Sequence, residues 1–359
     1  MDKLKAGILG ATGMVGQRFI ALLENHPWFE VNCVAASPNS AGKKYEEAVK
    51  SRWKLESEIP KYVKELTVKR VEEDIDEICE EVDFIFSALD LDKQKICEIE
   101  ESYANKGIPV VSNNSAHRWT EDVPMIIPEV NPEHLKLIKT QQKNRGWKEG
   151  FIAVKPNCSI QSYVPIIKAL EKYNPRKVLV TTLQAVSGAG KTLEGWPEMD
   201  KNVIPFIKNE EEKSEKEPLK ILGKIKKGKI ILAKNPRISA TCIRVPVEDG
   251  HLAIIEMQLG HEINEEQFIQ AVAGFDNPIA NLKLPSSPKE FIKYFKEEDR
   301  PQTRLDRNFE KGMGITFGRL RKDEIFGWKL VALSHNTIRG AAGGAILLAE
   351  LLRAKGYLD

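Results

Sequence analysis

Hydrophobic and polar positions divide the chain into two regions with different periodicity. Up to about residue 150, short apolar runs (KAGILG, EVNCVAA, VDFIFSAL, IPVVSN) alternate with amphipathic stretches such as MVGQRFIALLENH and KICEIEESYANKG. Strands that alternate with helices of this length predict βαβ units and a parallel sheet. We therefore expect an α/β protein whose N-terminal domain is a doubly wound parallel sheet.

The second region contains longer apolar runs and fewer helices. RKVLVTTLQAVSG, SATCIRVPV and HLAIIEMQLG predict long strands, which favours a mixed sheet in a second, α+β domain. The charge-dense segment KNEEEKSEKEPLKILGKIKKGK, residues 208–229, is interpreted mainly as a solvated helix face. Near the chain end, small residues 340–345 precede an apolar helix and permit close approach of another backbone or a flat ligand.

Bulk composition is that of an ordinary globular protein, with 42% hydrophobic and 30% charged residues. The formal net charge of +2 is too small to predict nucleic acid or an anionic membrane as the main partner. Five cysteines without CxxC spacing predict neither a disulfide framework nor a metal site. No apolar run approaches the ~20 residues of a membrane span, and the N-terminus lacks a signal-peptide pattern, so we expect a cytoplasmic location.

A glycine-rich turn connects the first predicted strand to the first predicted helix. Its spacing is G-x-x-G-x-x-G, a variant of the dinucleotide fingerprint in which a helix N-terminus faces a pyrophosphate. The residues assigned to the cofactor in this turn are Gly10, Thr12, Gly13, Met14, Val15 and Gly16. A glycine-rich turn without a ligand is the alternative, and the position of the turn at the start of the βαβ pattern favours a Rossmann-like nucleotide site.

The end of the second predicted strand indicates which dinucleotide binds. An NAD site would place Asp or Glu there for the ribose hydroxyls. This strand instead ends at Ser37 and is followed by Ser40, Lys43 and Lys44. Because hydroxyl groups and cations without a carboxylate suit a 2′-phosphate, NADP is favoured over NAD as the cofactor.

Cys158 follows an Asn after a proline and precedes a segment with helical periodicity. Ile160, Val164, Ile167 and Leu170 recur at helical intervals, which predicts a helix over 159–173 with Cys158 near its N-terminus. Backbone N–H groups and the helix dipole would favour a thiolate there, and a packed thiol is the alternative. The packed-thiol interpretation is adopted for the other four cysteines, which lie inside apolar strand or helix patterns: Cys33, Cys79, Cys97 and Cys242.

His251 is the histidine best placed to move a proton. It begins a predicted strand just after a turn, seven residues beyond Arg244. This spacing favours an anion-binding arginine and an acid/base histidine that face each other across one hairpin. The other histidines are interpreted as surface or turn residues (His26, His134, His261), as part of a polar loop (His117) or as the residue before the last helix (His335).

Six motifs in a fixed order make the chain resemble the aspartate-semialdehyde dehydrogenase family, in the branch shared by archaea, fungi and some bacteria. The motifs are GILGATGMVGQ, SNNSAHRWTEDVPMIIPEVNPEH, KPNCSIQ, LQAVSGAGK, ATCIRVPVEDGH and LSHNTIRGAAGGAILLAELL, and the similarity covers essentially the whole chain. The resemblance implies NADP-dependent reductive dephosphorylation of L-4-aspartyl phosphate to L-aspartate 4-semialdehyde through a cysteine thioester.

The resemblance also implies roles for individual residues. Cys158 would be the nucleophile, His251 the acid/base, and Gln184 the residue that orients substrate beside the thiol. Arg244 would clamp the substrate carboxylate, because a bidentate guanidinium fork suits a planar anion. Phosphate and amine contacts would come from Arg118, Asn157, Glu217 and Lys220, and further cofactor contacts are assigned to Ser87, Ser187, Gly188 and Asn336.

One departure from the family pattern concerns Glu217 and Lys220. Pro218 occupies the first variable position of this E-x-x-K pair. Proline is tolerated in the first turn of a helix, so both side chains can still share a face. The alternative for both residues is the solvated, charged helix face.

Other functions remain as alternatives. Malonyl-CoA reductase and N-acetyl-glutamyl-phosphate reductase share the architecture, but a CoA substrate needs neither a carboxylate for an amine nor a compact phosphate pocket. A redox-sensing NADP-binding regulator would explain the glycine turn and leave Cys158, Gln184, Arg244 and His251 without a role. From the family counterpart we expect residues 1–157 with 335–359 to form the NADP-binding domain, and 158–334 the catalytic and dimerisation domain of a homodimer or tetramer.

Overall fold

Two six-stranded sheets form the framework of the protein, whose computed structural model describes residues 2–359. The strands are β1 (Leu4–Leu9), β2 (Phe29–Ala36), β3 (Lys69–Arg70), β4 (Phe84–Ser87), β5 (Val110–Ser112), β6 (Ile152–Val154), β7 (Pro175–Gln184), β8 (Lys224–Lys226), β9 (Lys229–Ile231), β10 (Arg237–Arg244), β11 (His251–Leu259), β12 (Ile292–Tyr294), β13 (Ile315–Asp323) and β14 (Gly327–Ser334). The α-helices are α1 (Met14–Leu23), α2 (Tyr45–Val49), α3 (Lys61–Lys64), α4 (Ile75–Glu81), α5 (Lys93–Asn105), α6 (Leu137–Arg145), α7 (Val164–Ala169), α8 (Glu210–Ile221), α9 (Glu265–Ala273), α10 (Thr303–Asp306) and α11 (Gly343–Ala354). Within residues 2–359, no helix has the length and the hydropathy that a membrane span requires.

The N-terminal sheet is parallel throughout, as the alternating pattern predicts. Its order is β3-β2-β1-β4-β5-β6, and every neighbouring pair runs in the same direction. In a doubly wound sheet of this order, ligands bind beyond the carboxyl ends of the strands, at the point next to β1 where the order reverses. The predicted fold class is confirmed, and the glycine turn that follows β1 lies at this point.

The second sheet is mixed, as predicted, with the order β10-β7-β11-β14-β13-β12. β7 runs parallel to β10 and antiparallel to β11. The prediction that Arg244 and His251 face each other across one hairpin is therefore wrong, because β7 lies between their strands. Both residues still reach one edge of the sheet, since Arg244 pairs with Gln184 at the end of β7 and His251 begins β11 opposite Ser334.

The helix predicted over 159–173 is broken into three pieces. A 3₁₀ turn covers Ser159–Ser162, α7 covers Val164–Ala169, and a second 3₁₀ turn covers Glu171–Tyr173. Pro165 lies in the first turn of α7, where its missing N–H leaves no helical bond unmade. Cys158 therefore precedes a short 3₁₀ turn and not the N-terminus of a long helix.

Helix α8 carries the charged segment and contains Pro218 in its interior rather than in its first turn. A proline at this position cannot bond to the carbonyl four residues earlier, which is that of Ser214. The hydroxyl of Tyr163 donates to this carbonyl at 2.6 Å instead. The interpretation as a solvated face holds for Glu212 and Lys216, which are exposed, but the E-x-x-K pair around Pro218 is buried.

The last helix packs on the N-terminal sheet. α11 contacts β5 and α1, and its Leu347 is buried in the same core as Phe86. A π-helical turn, Ile338–Ala342, precedes it. Within this turn, a Cβ on Gly340 would lie 2.8 Å from the Cβ of Cys158. The close approach that small residues 340–345 predict is therefore confirmed, and it brings the tail against the segment that carries Cys158.

Two histidines expected at the surface or in turns are buried. His26 contacts the carboxylate of Glu350 at 2.9 Å, and His134 lies 3.0 Å from the carbonyl oxygen of Gly223. The surface interpretation is wrong for both, because the partners are far away in sequence and local polarity gives no sign of them. His26 does end a turn, since its backbone N–H donates to the carbonyl of Leu23 at 3.1 Å. His261 is exposed, as expected.

Candidate active site

Cys158 and His251 come together from two different parts of the fold. Cys158 ends the segment that follows β6, and His251 begins β11 in the second sheet. The thiol Sγ lies 3.5 Å from Nε2 of His251, and the cysteine is half-buried. A thiol next to an imidazole is an arrangement that covalent catalysis can use.

The surroundings of Cys158 oppose ionisation of its thiol. Burial raises the pKa of this thiol to about 11, and the nearby Glu210 carboxylate acts in the same direction. Three cations, Lys155, Arg118 and Arg244, act against both effects and lower the pKa. Because Cys158 precedes a 3₁₀ turn of only four residues, helix dipole stabilisation is small. Formation of the thiolate therefore depends on the positive side chains around it.

His251 is held in one tautomer. Its Nδ1 accepts the backbone N–H of Ala185 at 3.2 Å, so the neutral ring carries its proton on Nε2, the atom that faces Cys158. Burial lowers the pKa of His251 to about 3, and the charge of Arg244 adds to this effect. His251 is therefore neutral at physiological pH and presents an N–H group to the sulfur.

Arg244 is a buried cation with unused hydrogen-bond donors. Its Nη1 donates to the carbonyl of Ala185 at 2.5 Å, and no carboxylate of residues 2–359 forms an ion pair with it. Burial lowers the pKa of the guanidinium, but an arginine remains charged. The arrangement leaves Arg244 able to bind an anion beside His251.

Gln184 and Gly188, both predicted for the site, lie next to Arg244. Gln184 is buried at the end of β7 and donates to Oγ1 of Thr182 at 3.1 Å. A Cβ on Gly188 would lie 3.0 Å from Nη1 of Arg244 and 3.0 Å from Cε1 of His251. A side chain at position 188 would crowd both groups.

Glu217 links Arg118 to the backbone of Asn157, the residue before Cys158. Arg118 Nη1 donates to Glu217 Oε1 at 2.9 Å, and Arg118 Nε donates to the carbonyl of Lys155 at 3.1 Å. Glu217 Oε2 accepts the backbone N–H of Asn157 at 2.7 Å. Both oxygens of this buried carboxylate are thus engaged by protein groups, and Glu217 orients Arg118 and the segment that leads to Cys158.

Lys220 is also engaged entirely by the protein. Its ammonium group donates to the carbonyls of Arg118, Thr120 and Val123 at 2.6, 3.2 and 3.1 Å. Burial lowers its pKa to about 8, and Glu217 acts in the opposite direction. Because an ammonium group has three donors, these contacts use all of them. Lys220 braces the loop that carries Arg118.

A second E-x-x-K pair, missed by the sequence analysis, also contacts the residue before Cys158. Glu210 Oε1 accepts from Asn157 Nδ2 at 3.0 Å, and its Oε2 lies 3.3 Å from Nζ of Lys213. Glu210 acts electrostatically on Cys158, and Lys213 is half-exposed. The sequence contains this signal, because NEEEK, residues 209–213, has the same spacing two helical turns before Glu217 and Lys220.

The glycine turn after β1 fits the nucleotide that its spacing predicts. Gly10 has a φ of +79°, and a Cβ there would lie 2.3 Å from the carbonyl oxygen of Ala88. A Cβ on Gly16 would lie 2.3 Å from the carbonyl oxygen of Gly10. Gly13 is exposed and caps α1 without a side-chain hydrogen bond, so the first N–H groups of the helix have no side-chain acceptor at the cap. The other predicted residues of the turn, Thr12, Met14 and Val15, are half-buried.

Arg52, a residue that the sequence analysis missed, contacts one of the two serines after β2. Ser37 is exposed, whereas Ser40 is buried and its Oγ accepts from Nη2 of Arg52 at 3.0 Å. Lys44 forms an ion pair with a neighbouring glutamate, and the side chain of Lys43 donates to a backbone carbonyl. Arg52 lies twelve residues beyond Ser40, outside the strand-end motif, so no local signal marks it.

Ser187 and Asn336 are brought together from distant parts of the chain. Ser187 Oγ accepts from Asn336 Nδ2 at 2.8 Å and donates to Oδ1 of Asp249 at 2.8 Å. Asn336 Oδ1 accepts the backbone N–H of Gly250 at 2.8 Å. Asp249, two residues before His251, is a further residue that the sequence analysis missed. This network ties the start of the tail to the edge of the second sheet that carries His251.

Ser87 lies at the carboxyl end of β4, on the same edge of the sheet as the glycine turn. Its Oγ accepts from Nδ2 of Asn114 at 2.9 Å, and Asn114 also donates to Glu100 Oε1 at 2.9 Å. Ser87 is buried. The structure thus places it near the predicted cofactor cleft with its hydroxyl already hydrogen-bonded.

All five cysteines are free thiols. Cys33 and Cys242 are buried, and burial raises the pKa of both thiols, which confirms their interpretation as packed thiols. Cys79 and Cys97 are half-buried, and burial raises their pKa as well. In residues 2–359 no three His, Cys, Asp or Glu side chains are grouped as a metal ion would require.

Comparison with known proteins shows the family. The models named semialdehyde dehydrogenase, NAD binding domain, and semialdehyde dehydrogenase, dimerisation domain, match residues 5–138 and 164–339. The chain is 47% identical to the aspartate-semialdehyde dehydrogenase of Archaeoglobus fulgidus, with 98% of each chain covered, and 44% identical to that of Methanothermobacter thermautotrophicus, with 97% of this chain and 99% of the relative covered. The crystal structure of aspartate semialdehyde dehydrogenase with NADP from Candida albicans matches with a TM-score of 0.88 and 38% identity, over 99% of this chain and 100% of that one. The chain therefore belongs to the aspartate-semialdehyde dehydrogenase family, which confirms the resemblance that its motifs indicate.

Proposed function

We propose that this protein catalyses the reversible, NADP-dependent reductive dephosphorylation of L-4-aspartyl phosphate to L-aspartate 4-semialdehyde. The reaction serves the biosynthesis of the aspartate family of amino acids: lysine, threonine and methionine. The observation that carries the proposal is the 3.5 Å contact between Cys158 Sγ and His251 Nε2, with the unpaired Arg244 beside it. A nucleophile, a hydrogen-bond donor and an anion clamp close together are what acyl transfer from a small acidic substrate needs.

The first half of the reaction uses the sulfur of Cys158. Its thiolate attacks the acyl carbon, a carbon–sulfur bond forms, and the bond from that carbon to the phosphate oxygen breaks. Phosphate leaves towards Arg118 and Asn157, whose positions Glu217 fixes. Covalent capture divides one difficult substitution into two easier steps.

His251 stabilises the charge that develops on the substrate oxygen. The proton on Nε2 points to the reacting centre, because Nδ1 accepts from Ala185. A donor aimed at an oxyanion in such a site contributes about 3 kcal/mol. In the reverse direction Cys158 adds to the aldehyde, and the same N–H donates to the oxygen of the hemithioacetal.

Arg244 binds the substrate's free carboxylate through its unused donors. We assign the contact with the substrate ammonium group to Glu210 and Lys213 rather than to Glu217 and Lys220, because Glu217 and Lys220 are sealed and already bonded. Glu210 is next to Cys158 and Asn157, and its carboxylate is held by one amide and one half-exposed lysine. In this assignment Glu217 and Lys220 hold the Arg118 loop in place.

NADPH, when bound, supplies the hydride that reduces the thioester. The glycine turn from Gly10 to Gly16 would hold its pyrophosphate, and Ser37, Ser40 and Arg52 would hold the 2′-phosphate. Ser187, Gly188 and Asn336, which lie beside His251 and Arg244, would hold the nicotinamide end. These two groups of residues thus fit the two ends of a phosphorylated dinucleotide. We propose that residues 1–157 with 335–359 form the NADP-binding domain and that residues 158–334 form the catalytic and dimerisation domain.

We also propose that the protein forms a homodimer through the second sheet. One face of the central strands carries half-buried apolar residues, among them Leu183, Leu252, Ile254 and Val331. A partner would cover this face, and the match to a dimerisation domain supports it. Ile254→Glu should give a monomer in sedimentation velocity, whereas Ile325→Glu, at an 82% exposed position in the β13–β14 turn, should leave the assembly unchanged. An unchanged sedimentation coefficient for Ile254→Glu would exclude this face.

The test of the proposed activity is spectrophotometric. NADP reduction should require both L-aspartate 4-semialdehyde and inorganic phosphate, and it should stop when either is omitted. Oxidation of NADPH with malonyl-CoA as the substrate provides the comparison. Binding of NADP without turnover of semialdehyde would contradict the proposal.

A further inference from the structure

The two residues that flank Cys158 are bonded to each other through their side chains. Ser159 donates to Oδ1 of Asn157 from its backbone N–H and from its hydroxyl group, each at 2.7 Å, and both residues are buried. A backbone N–H can only donate, so the atom that accepts it is the amide oxygen. The amide of Asn157 is thereby fixed in one orientation, in which its Nδ2 donates to Oε1 of Glu210 at 3.0 Å.

The same contacts continue from Ser159 to the strand behind it. Oγ of Ser159 lies 2.9 Å from Oγ of Ser214, which lies 3.6 Å from Sγ of Cys242. Because the single hydroxyl proton of Ser159 goes to Asn157, Ser214 donates to Ser159, and the thiol of Cys242 donates to Ser214. All the donors of this hydrogen-bond chain therefore point one way, from Cys242 through Ser214, Ser159 and Asn157 to the carboxylate of Glu210.

The hydrogen-bond chain leaves α8 at Ser214 and returns to it at Glu210. These two residues are four positions apart on one helix, so their side chains lie on the same face. The backbone of α8 has its own anchor, because the hydroxyl of Tyr163 donates to the carbonyl of Ser214 at 2.6 Å. What the hydrogen-bond chain adds is therefore control of the Glu210 side chain rather than of the helix.

Glu210 has two partners that hold it in different ways. Its Oε1 accepts from the fixed amide of Asn157, whereas its Oε2 lies 3.3 Å from Nζ of Lys213, a half-exposed residue. An ion pair with a partly exposed lysine contributes little and permits motion. A hydrogen bond to a charged carboxylate is stronger, and each further donor in a row polarises the next. The hydrogen-bond chain thus keeps one oxygen of Glu210 beside the segment that carries the nucleophile.

We propose that Ser159 and Ser214 are positioning residues for substrate specificity, which act through Asn157 to hold Glu210 where it recognises the substrate ammonium group. This inference rests on the proposed function, in which Glu210 makes that contact. Both serines are 0% exposed and do not touch the substrate. A carboxylate that is already held in its binding position loses less conformational entropy when the ammonium group arrives, so its contact contributes more to recognition.

The test compares two aldehydes that differ only in the ammonium group: L-aspartate 4-semialdehyde and 4-oxobutanoate. The ratio of their kcat/KM values is measured by NADP reduction in the presence of phosphate. Ser159→Ala should lower this ratio about fivefold, the effect of one hydrogen bond, and Ser214→Ala should lower it by a smaller factor. For both variants kcat/KM for 4-oxobutanoate should stay unchanged. In a Glu210→Gln background, Ser159→Ala should cause no further fall in the ratio.

Ser162→Ala is the matched control. Ser162 is a buried serine of the same 3₁₀ turn, and its hydroxyl donates to the carbonyl of Ser159 at 3.4 Å, outside the hydrogen-bond chain. Its ratio should equal that of the unmodified protein. A purely structural role of Ser159 would slow both aldehydes equally, so an unchanged ratio in Ser159→Ala and Ser214→Ala would overturn the inference and leave the proposed activity standing. An unmodified protein that does not discriminate between the two aldehydes would also overturn it. If one of the two variants does not fold, the other decides.

A second measurement needs neither substrate nor turnover. Glu210 raises the pKa of the Cys158 thiol, which Lys155, Arg118 and Arg244 lower. Ser159→Ala and Ser214→Ala should therefore lower the pH at which iodoacetamide alkylates Cys158 at half of its maximal rate, in the same direction as Glu210→Gln. If the unmodified protein oxidises neither aldehyde, the proposed activity is rejected and this measurement decides: shifted profiles support the positioning of Glu210 by the two serines, and profiles that coincide with that of the unmodified protein overturn it.

Discussion

Nε2 of His251 lies 3.5 Å from Sγ of Cys158, while Nδ1 of the same ring accepts the backbone N–H of Ala185. The ring proton therefore points at the sulfur. In this tautomer His251 cannot take the thiol proton at Nε2. In the reaction that we propose, it donates a hydrogen bond first to the thiolate and then to the substrate oxygen. The positive charge that a thiolate needs has to come from other residues.

The pH dependence of turnover tests this role of His251. Because burial lowers its pKa to about 3, the ring is protonated only as the pH falls towards that value, and it stays neutral from pH 5 to pH 9. The kcat/KM profile should therefore show no inflection between pH 6 and 7 from this residue. His251→Gln should lower kcat by about 10²- to 10³-fold, the effect of losing one oxyanion donor, and leave the shape of the profile unchanged. An inflection near pH 6.5 that disappears in His251→Gln would contradict the account.

The two E-x-x-K pairs of α8 should respond differently to substitution. Glu210→Gln should raise KM for L-aspartate 4-semialdehyde about tenfold with little change in thermal stability, because one charge-assisted contact with substrate is lost. It should also lower the pH at which iodoacetamide alkylates Cys158 at half of its maximal rate, since Glu210 raises the pKa of that thiol. Glu212→Gln, exposed on the same helix, is the control.

Glu217→Gln should mainly affect stability and the position of Arg118. Glu217 is 1% exposed and pairs with Arg118, so its removal leaves a buried charge without a partner, at about 3 kcal/mol. Calorimetry should show a lower Tm together with a loss of kcat. The assignment of the two pairs would be reversed by two results together: a Glu217→Gln variant of unchanged Tm with only a raised KM, and a Glu210→Gln variant with unchanged KM.

Cofactor choice should depend on Arg52. Its guanidinium already lies 3.0 Å from the hydroxyl of Ser40, where a 2′-phosphate would be shared by both groups. Arg52→Ala should raise KM for NADP at least tenfold and leave KM for NAD nearly unchanged, as measured by initial rates with each cofactor. Lys43→Ala should have a small effect on both. Equal effects of Arg52→Ala on NADP and NAD would show that Arg52 does not contact the 2′-phosphate.

The sequence predicted those features that depend on local pattern. Alternation of strands and helices in the first region gave the parallel sheet, and the spacing of Gly10, Gly13 and Gly16 located the turn at its switch point. Cys158 and His251 were singled out from their positions at the ends of predicted elements. Their contact was beyond local pattern, because 93 residues separate them in the chain.

Features that depend on long-range packing were predicted wrongly or missed. β7 lies between β10 and β11, which no spacing of Arg244 and His251 reveals. Pro218 lies in the interior of α8, where a hydroxyl from Tyr163 satisfies the carbonyl that the proline leaves free.

The most direct measurement is the capture of substrate on Cys158. The protein is incubated with L-4-aspartyl phosphate in the absence of NADPH, quenched in acid and digested. Peptide masses are measured by mass spectrometry, and the released inorganic phosphate is quantified separately. The account predicts one aspartyl group on the Cys158 peptide and one phosphate released per site, with neither in Cys158→Ala, which should still bind NADP. An aspartyl group on any other residue, or near-normal turnover by Cys158→Ala, would contradict the account.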